Sequence, residues 1–239
     1  MKSNTTVKIH RDLDELSEAA KLLFIEIANE AIQQRGRFLV ALSGGSTPAK
    51  LYEKLALETL DWSRVHFFWG DERCVPVDDA GNNYGQAKKV WFDRIGAINI
   101  HRIRSELEPA EAANDYADTL KEFSEPPLEW PRFDLVLLGM GDDGHTASLF
   151  PGSPVEVASP TLAVTAHYQD RPASRVTLTQ NVFNDARNIF FLVVGAGKAE
   201  TLKKVLGDTR TLAELPAQRI DPKDGRVVWL VDEAAASLL

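Results

Sequence analysis

Residues Gly139 to Gly152 contain side chains that could transfer a proton, at a spacing that could bring them together. Two carboxylates, Asp142 and Asp143, precede His145, with one glycine between them and the imidazole. An imidazole exchanges protons near neutral pH, and a neighbouring carboxylate can fix its tautomer or raise its basicity. The largely apolar run 133–138 predicts a buried strand that ends just before this turn, where open α/β sheets bind ligands. The pattern favours a general base in a cleft, and a plain strand-to-loop turn is the alternative.

Three glycines of this turn, Gly139, Gly141 and Gly144, also have the spacing of a dinucleotide-binding fingerprint. The surrounding residues do not fit that function, because Asp142 and Asp143 would repel an approaching pyrophosphate. No acidic residue at the end of a second strand follows about 20 residues later, as the fingerprint requires. We therefore interpret the glycines as residues that let the backbone turn sharply and bring the histidine to a cleft floor.

A second polar segment has the composition of a phosphate-binding loop. It follows the apolar run 37–42, precedes a helix predicted over 49–57, and consists of Ser43, Gly44, Gly45, Ser46 and Thr47. Pro48 suits the first turn of that helix, with Ser46 or Thr47 as its cap. Converging amides at a helix N-terminus attract phosphate, although an ordinary capped helix fits equally well. The Gly-Lys-Ser/Thr ending of a nucleoside triphosphate loop is missing.

Charged residues flank three further predicted strands. Asp71, Glu72 and Arg73 come after the apolar run 65–69, and Lys198 follows a Gly-Ala-Gly turn. A lysine at a helix start is mildly unfavourable, which favours a binding role over a solvated one. Arg175 precedes a short apolar run and could face either the same cleft or solvent. Several such endings in one parallel sheet predict convergence on a single cleft.

These segments together resemble the 6-phosphogluconolactonase family, of the type related to glucosamine-6-phosphate deaminase. The shared signatures, in the family's order and spacing, are Ser43–Pro48, Asp71–Arg73, Gly141–Pro151, Ser174–Thr179 and Gly195–Ala199. The resemblance implies an enzyme that hydrolyses 6-phospho-D-glucono-1,5-lactone to 6-phospho-D-gluconate in the oxidative pentose phosphate pathway. A lactone is an activated ester, so a water molecule activated by a base suffices, with no covalent intermediate, metal or other cofactor.

Within that mechanism, His145 is the expected base, oriented by either Asp143 or Asp71. Arg73 and the amides near Gly44 and Gly45 are expected to stabilise the oxyanion. The phosphate is expected to lie on the loop 43–47, with Lys198 and Arg175 as further ligands.

Two other functions remain open at this stage. One is an amino-sugar phosphate deaminase, in which a glutamate before the proline of the histidine segment helps to open the sugar ring. Here Phe150 precedes Pro151, and a phenyl ring cannot transfer that proton, which favours the lactonase. Asp71 does not discriminate, because the deaminases also use an Asp there. The other is a sugar-phosphate sensor of a transcription regulator, which would need a DNA-binding module for which the chain has neither spare length nor a basic helix.

The elements that must position these residues alternate between strand and helix. Helices are predicted over 12–34, 49–57, 109–123, 198–206 and 232–239, and strands over 37–42, 65–69, 133–138, 162–166, 176–178, 189–194 and 227–231. This order predicts a single-domain α/β fold over residues 1–239, with a mainly parallel, open, Rossmann-like sheet covered by helices on both faces. The stretches 124–131 and 207–226 are predicted surface loops.

Composition sets the remaining expectations. The 239 residues are 44% hydrophobic and carry a formal net charge of -8, which disfavours nucleic acid and anionic membranes as partners but not a small anionic substrate. Cys74 is the only cysteine, so no internal disulfide can form. Residues 1–6 show no apolar signal core, and no run approaches the length of a membrane span, so a cytoplasmic enzyme is expected. Transient association with glucose-6-phosphate dehydrogenase, which makes the lactone, stays open.

Overall fold

The computed structural model describes residues 4–167 and 172–239. The strands are β1 (Thr5–His10), β2 (Phe38–Leu42), β3 (Val65–Trp69), β4 (Asp71–Arg73), β5 (Asn99–Ile100), β6 (Leu135–Leu138), β7 (Thr161–Thr165), β8 (Ser174–Leu178), β9 (Asn188–Val193) and β10 (Arg226–Asp232). The α-helices are α1 (Leu13–Arg35), α2 (Ser46–Leu55), α3 (Asn83–Ala87), α4 (Asp93–Ile95), α5 (Pro109–Lys121), α6 (Gln180–Asn184) and α7 (Ala199–Leu206). Short 3₁₀ turns cover Trp62–Arg64, Ala196–Lys198 and Pro216–Arg219, and a π-helical turn covers Lys88–Phe92.

Seven strands form one parallel sheet in the order β1-β10-β9-β6-β2-β3-β5. Every residue of β2 and β6 is buried, because the central strands are covered on both faces. The near-continuous apolar runs that predicted these strands arise from this burial. The α/β class with a mainly parallel sheet is confirmed.

A smaller antiparallel sheet of order β4-β8-β7 stands beside the main one. The predicted strands 162–166 and 176–178 belong to it rather than to the parallel sheet. Too few residues separate β7 from β8 for a crossover connection, so the two strands pair antiparallel. Its third strand, β4, consists of the charged residues Asp71, Glu72 and Arg73, so this segment is a strand and not only a loop.

The helix that follows the phosphate-loop segment begins earlier than predicted. Helix α2 starts at Ser46, and its N-cap is Gly45, which has a φ of 107° and no capping side chain. Ser46 and Thr47 therefore lie in the first turn, and the predicted cap is wrong. A left-handed glycine at the cap lets the chain reverse directly from β2 into the helix.

The structure differs from the sequence-based expectations in three other places. The segment 232–239 is not the predicted helix, because Asp232 belongs to β10, where it pairs with His10 of β1, and the residues after it form turns. Strand β1 was not predicted, since it is a half-exposed edge strand of mixed polarity. The stretch 207–226 is not only a surface loop, because the turn Pro216–Arg219 is buried and Arg219 donates to the carbonyls of Leu212, Ser153 and Pro154.

An aromatic cluster fills the core between α1, α2 and β3. The Trp91 ring stacks on Tyr52 at a centroid distance of 5.1 Å and meets Phe24, Trp62 and Phe67 edge-on. This packing fixes α2 against the sheet and so fixes the loop that precedes it. No helix within the described residues combines the length and apolar character needed to cross a membrane. Residues 1–3, on which part of the expectation about a signal segment rests, lie outside the described part of the chain.

Candidate active site

The predicted site residues meet in a cavity of about 270 Å³ at the carboxyl ends of β2, β3, β6 and β9. The residues that line it include Ser43, Gly44, Gly45, Ser46, Thr47, Asp71, Arg73, His145, Arg175 and Lys198. Of the predicted set, Asp143 alone does not line the cavity, because it lies behind the histidine ring. The parallel sheet therefore brings together segments that are far apart in sequence, as the strand endings predicted.

The His145 ring is held by Asp143. Its Nδ1 lies 2.6 Å from Asp143 Oδ1, and the backbone amide of His145 donates to the same oxygen at 3.0 Å. Burial opposes ionisation of Asp143, but the side-chain and backbone hydrogen bonds from His145 outweigh it and hold the pKa of this carboxyl below its ordinary value. The carboxylate at Nδ1 leaves Nε2 as the ring nitrogen that can accept a proton.

Asp71 does not compete for the histidine. It is buried, and its Oδ2 accepts from Ser148 Oγ at 2.6 Å. The Ser148 amide in turn lies 3.3 Å from Thr177 Oγ1 on β8. Asp71 thus joins the histidine segment to the smaller sheet, while Asp143 contacts the ring itself. Ser148 lies within the signature segment Gly141–Pro151, but nothing in the sequence pointed to its contact with Asp71.

The turn that carries His145 is closed by its own backbone. Gly141 N donates to the His145 carbonyl at 2.9 Å, and Thr146 Oγ1 donates to the Gly139 carbonyl at 2.8 Å. A Cβ on Gly141 would lie 2.1 Å from His145 Nδ1, so a side chain there would displace the ring. The glycine is therefore required by the close approach of the imidazole, and the fingerprint spacing has a structural explanation.

Phe150 lies between the histidine and an arginine. Its ring centroid is 4.5 Å from that of His145, and the Arg175 guanidinium carbon lies 5.4 Å from the same centroid. Arg175 is 3% exposed, so the structure places it in the cleft wall and not on the surface. The residue that argued against a deaminase thus also packs against the proposed base.

Arg73 and Arg175 are direct cross-strand neighbours in the β4–β8 pair. Like charges opposite each other destabilise a sheet, yet both arginines line the same cavity. A bound anion would relieve this repulsion. The pair therefore marks the part of the cleft best suited to a phosphate or a developing oxyanion.

Glu72, to which the sequence assigned no function, accepts a hydrogen bond from the backbone amide of Arg73. It is 1% exposed and accepts from the amides of Arg73, Asn83 and Tyr84 at 2.7 to 2.9 Å. Burial raises the pKa of this carboxyl to about 7, although the three amide hydrogen bonds act in the opposite direction. Glu72 thereby connects β4 to the start of α3.

The phosphate-loop segment is shaped by close contacts. A Cβ on Gly44 would lie 1.7 Å from Asn83 Oδ1, so only glycine fits between β2 and α3. The buried Tyr52 hydroxyl donates to the Ser43 carbonyl at 2.7 Å and lies 3.1 Å from its amide nitrogen. Lys198 approaches from the opposite side, at the end of the 3₁₀ turn after β9. The loop is fixed by its neighbours, and its own hydroxyls remain at the cavity wall.

Within the described ranges, no group of three or more His, Cys, Asp or Glu side chains is arranged to hold a metal ion. The two carboxylates nearest the cleft are engaged by His145 and Ser148.

The chain is similar to known proteins in sequence and in fold. A family model described as glucosamine-6-phosphate isomerases/6-phosphogluconolactonase matches residues 11–229. The chain is 39% identical to a 6-phosphogluconolactonase of Nostoc sp. over 238 residues, which cover 98% of each protein. It is similar to the crystal structure of 6-phosphogluconolactonase from Thermotoga maritima, with a TM-score of 0.85, 29% identity, and coverage of 95% of this chain and 99% of that one. A monomeric glucosamine-6-phosphate deaminase has the same fold, with a TM-score of 0.85 at 21% identity and coverage of 98% and 100%.

Proposed function

The chain belongs to the glucosamine-6-phosphate isomerase/6-phosphogluconolactonase family, and from that premise we propose how it hydrolyses 6-phospho-D-glucono-1,5-lactone to 6-phospho-D-gluconate. This reaction is the lactone hydrolysis of the oxidative pentose phosphate pathway. The observation that carries the mechanism is the 2.6 Å contact between His145 Nδ1 and Asp143 at the edge of a cavity lined by arginines and a lysine.

His145 is the general base. With Nδ1 held by Asp143, Nε2 takes a proton from water as the water oxygen attacks the lactone carbonyl carbon. The tetrahedral intermediate then collapses, the bond to the ring oxygen breaks, and His145 returns the proton to that oxygen. The product is the open-chain acid, so no covalent enzyme intermediate is needed.

Positive groups act on the phosphate of the substrate and on the oxyanion that develops at its carbonyl. Arg73 and the amides near Gly44 and Gly45 stabilise the oxyanion as it develops. The loop 43–47, together with Lys198 and Arg175, holds the phosphate. Binding this unreactive group positions the carbonyl against the activated water. The cross-strand pair of arginines supports anion binding here, because both side chains line the same cavity.

The test measures two activities of the purified protein. The lactone is generated in situ and its disappearance is followed against the spontaneous rate, while ammonia release from glucosamine 6-phosphate is measured in parallel. We expect lactone turnover without ammonia. His145→Ala should lower kcat about 10²–10⁴-fold, as the loss of a general base does, and should retain affinity for 6-phosphogluconate. The exposed His167, outside the cleft, gives the control variant His167→Ala.

Ammonia at enzymatic rates without lactone turnover would contradict the proposal and favour the deaminase. A His145→Ala variant within a few-fold of the wild-type kcat would show that another group is the base.

A further inference from the structure

A second cleft lies at the amino ends of β2, β6 and β9, at the opposite end of these strands from the candidate active site. Its volume is about 260 Å³, and its lining consists of Arg35, Gly36, Arg37, Leu39, Phe123, Glu125, Arg132, Asp134 and Arg187. Four arginines thus face only two carboxylates, in a chain whose formal net charge is -8. We call this surface the arginine cleft.

One buried carboxylate serves two of these arginines. Asp134 Oδ1 accepts a hydrogen bond from Arg35 Nε at 2.9 Å and lies 2.9 Å from Arg35 Nη2. Asp134 Oδ2 accepts from the Leu39 amide at 2.9 Å. Arg187 Nε lies 3.4 Å from Oδ1 without a hydrogen bond among the described residues. Asp134 therefore hydrogen-bonds Arg35 and the backbone, whereas its ion pair with Arg187 has no hydrogen bond. Burial and then the neighbouring cations Arg35 and Arg132 lower the pKa of Arg187, as expected where positive charges crowd together.

The other two arginines have weaker partners. Arg37 lies 3.4 Å from Glu125, whose side chain is 80% exposed, and its guanidinium lies over the Phe123 ring. Arg132 Nε donates to the Asp185 carbonyl at 3.1 Å, and no carboxylate in the described ranges lies within ion-pair distance of its guanidinium. The Asp185 carboxylate itself accepts from Trp130 Nε1 at 2.8 Å. The cleft therefore keeps an excess of positive charge that its own residues do not neutralise.

We propose that the arginine cleft binds a small phosphate-bearing molecule at a site separate from the active site. A doubly charged phosphate group would offset the excess charge, and the guanidinium fork matches phosphate oxygens with two parallel hydrogen bonds. Phe123 and Leu39 add apolar wall for the rest of the ligand. Strand β2 runs between the two sites, and its five residues span about 17 Å, so a ligand here does not overlap the substrate.

Site-resolved NMR titration with inorganic phosphate tests the proposal on the full chain. The amides of Gly36 and Arg187 report on the arginine cleft, and the amide of Gly45 reports on the active site. Arg132→Gln removes one cation without touching the ion pair of Asp134, and we expect it to weaken phosphate binding at the cleft about tenfold or more. Arg37→Gln should act in the same direction.

Three further variants make the test directional. Glu125→Gln removes the carboxylate that competes for Arg37, so it should tighten phosphate binding at the cleft. Arg64→Gln, at an exposed arginine paired with Asp61 outside the cleft, is the matched control and should change nothing. Lys198→Gln should weaken only the response of Gly45.

The proposal is overturned if Gly36 and Arg187 do not respond to phosphate, or if Arg132→Gln and Arg37→Gln titrate as wild type. Failure of the proposed lactonase function would be visible separately, as absent lactone turnover, whatever the cleft residues show.

Discussion

At the scale of single residues, the two acidic side chains near the proposed base have different contacts. Asp143 contacts the His145 ring at 2.6 Å, whereas Asp71 accepts from Ser148 at the same distance. The sequence left open which of them orients the histidine, because both follow a predicted strand. The geometry supports Asp143 as the residue that fixes the tautomer, and Asp71 as a group that anchors the loop.

Asp143→Asn and Ser148→Ala separate these two contacts. The asparagine keeps the shape of Asp143 but cannot hold a protonated Nδ1 as a carboxylate does, so kcat should fall by about two to four orders of magnitude. Ser148→Ala leaves the histidine contact intact and should reduce kcat far less. Steady-state kinetics across pH, with circular dichroism to check folding, measure both. Equal losses in the two variants would mean that Asp71 matters to the base as much as Asp143 does.

The phosphate site leads to a prediction about binding. Lys198 lines the cleft beside the loop 43–47, so Lys198→Ala should weaken 6-phosphogluconate binding by roughly 1.5–3 kcal/mol, the value of a lost charge-assisted contact. Lys203→Ala, at an exposed position on α7, is the matched control. Calorimetry with the product measures both affinities. An unchanged affinity in Lys198→Ala would remove this lysine from the phosphate site.

At the scale of elements, the sequence predicted what depends on local pattern. The central strands are continuous apolar runs because both faces of the sheet are covered, and their positions were correct within one or two residues. The helix predicted over 232–239 has helix-forming alanines, but Asp232 is the last residue of β10, pairs with His10 and accepts from the Gly195 amide. Local propensity could not show a partner 37 residues away.

Glu72 shows the same limit within the site. Its partners are the amides of Asn83 and Tyr84, which only the fold brings to β4. In sequence it is one charge in a row of three, and that pattern fits a solvated loop as well as a buried anchor. Asn83 is likewise unremarkable in sequence, yet it requires Gly44 to lack a side chain.

The junction of β4 and α3 should depend on Glu72. Glu72→Ala leaves buried amide groups without an acceptor, at a cost of about 1–3 kcal/mol for each unsatisfied group, and should lower the free energy of unfolding. Burial raises the pKa of Glu72 from 4.5 to about 7, so the folded state holds its proton more tightly than the unfolded state does. Its contribution to stability is therefore fully present at low pH and declines as pH rises from about 4.5 to 7.

Urea unfolding of wild type and Glu72→Ala between pH 4.5 and 7.5 measures this effect, with the exposed Glu53→Ala as control. The advantage of wild type over Glu72→Ala should shrink as pH rises. An advantage that grows with pH would show that the three amides favour the carboxylate more strongly than burial disfavours it.

At the scale of the whole molecule, positive side chains cluster at both ends of the strands of the main sheet. The chain is acidic overall, yet Arg73, Arg175 and Lys198 line the candidate active site at one end of the strands, and four arginines line the arginine cleft at the other end. The net charge of -8 therefore disfavours polyanionic partners without weakening local anion sites. Composition alone predicted the first property, and only the topology, which places four arginines at strand starts and a helix end, brings the arginines of the cleft together.

The whole-molecule arrangement also bears on metal dependence, which a chelator tests directly. His145, Asp143 and Asp71 could in principle supply a His-carboxylate site, but Asp143 is bound to the ring and Asp71 to Ser148. A metal would have to break one of these 2.6 Å contacts to gain two ligands, whereas catalytic metal sites usually hold three protein ligands in place. We therefore expect lactone turnover to be unchanged after incubation with EDTA and removal of the chelate. The control is a zinc hydrolase treated in the same way, which should lose activity and regain it with added zinc. Loss of lactonase activity that a divalent ion restores would contradict the proposed mechanism, because it would assign the activation of water to a metal and not to His145.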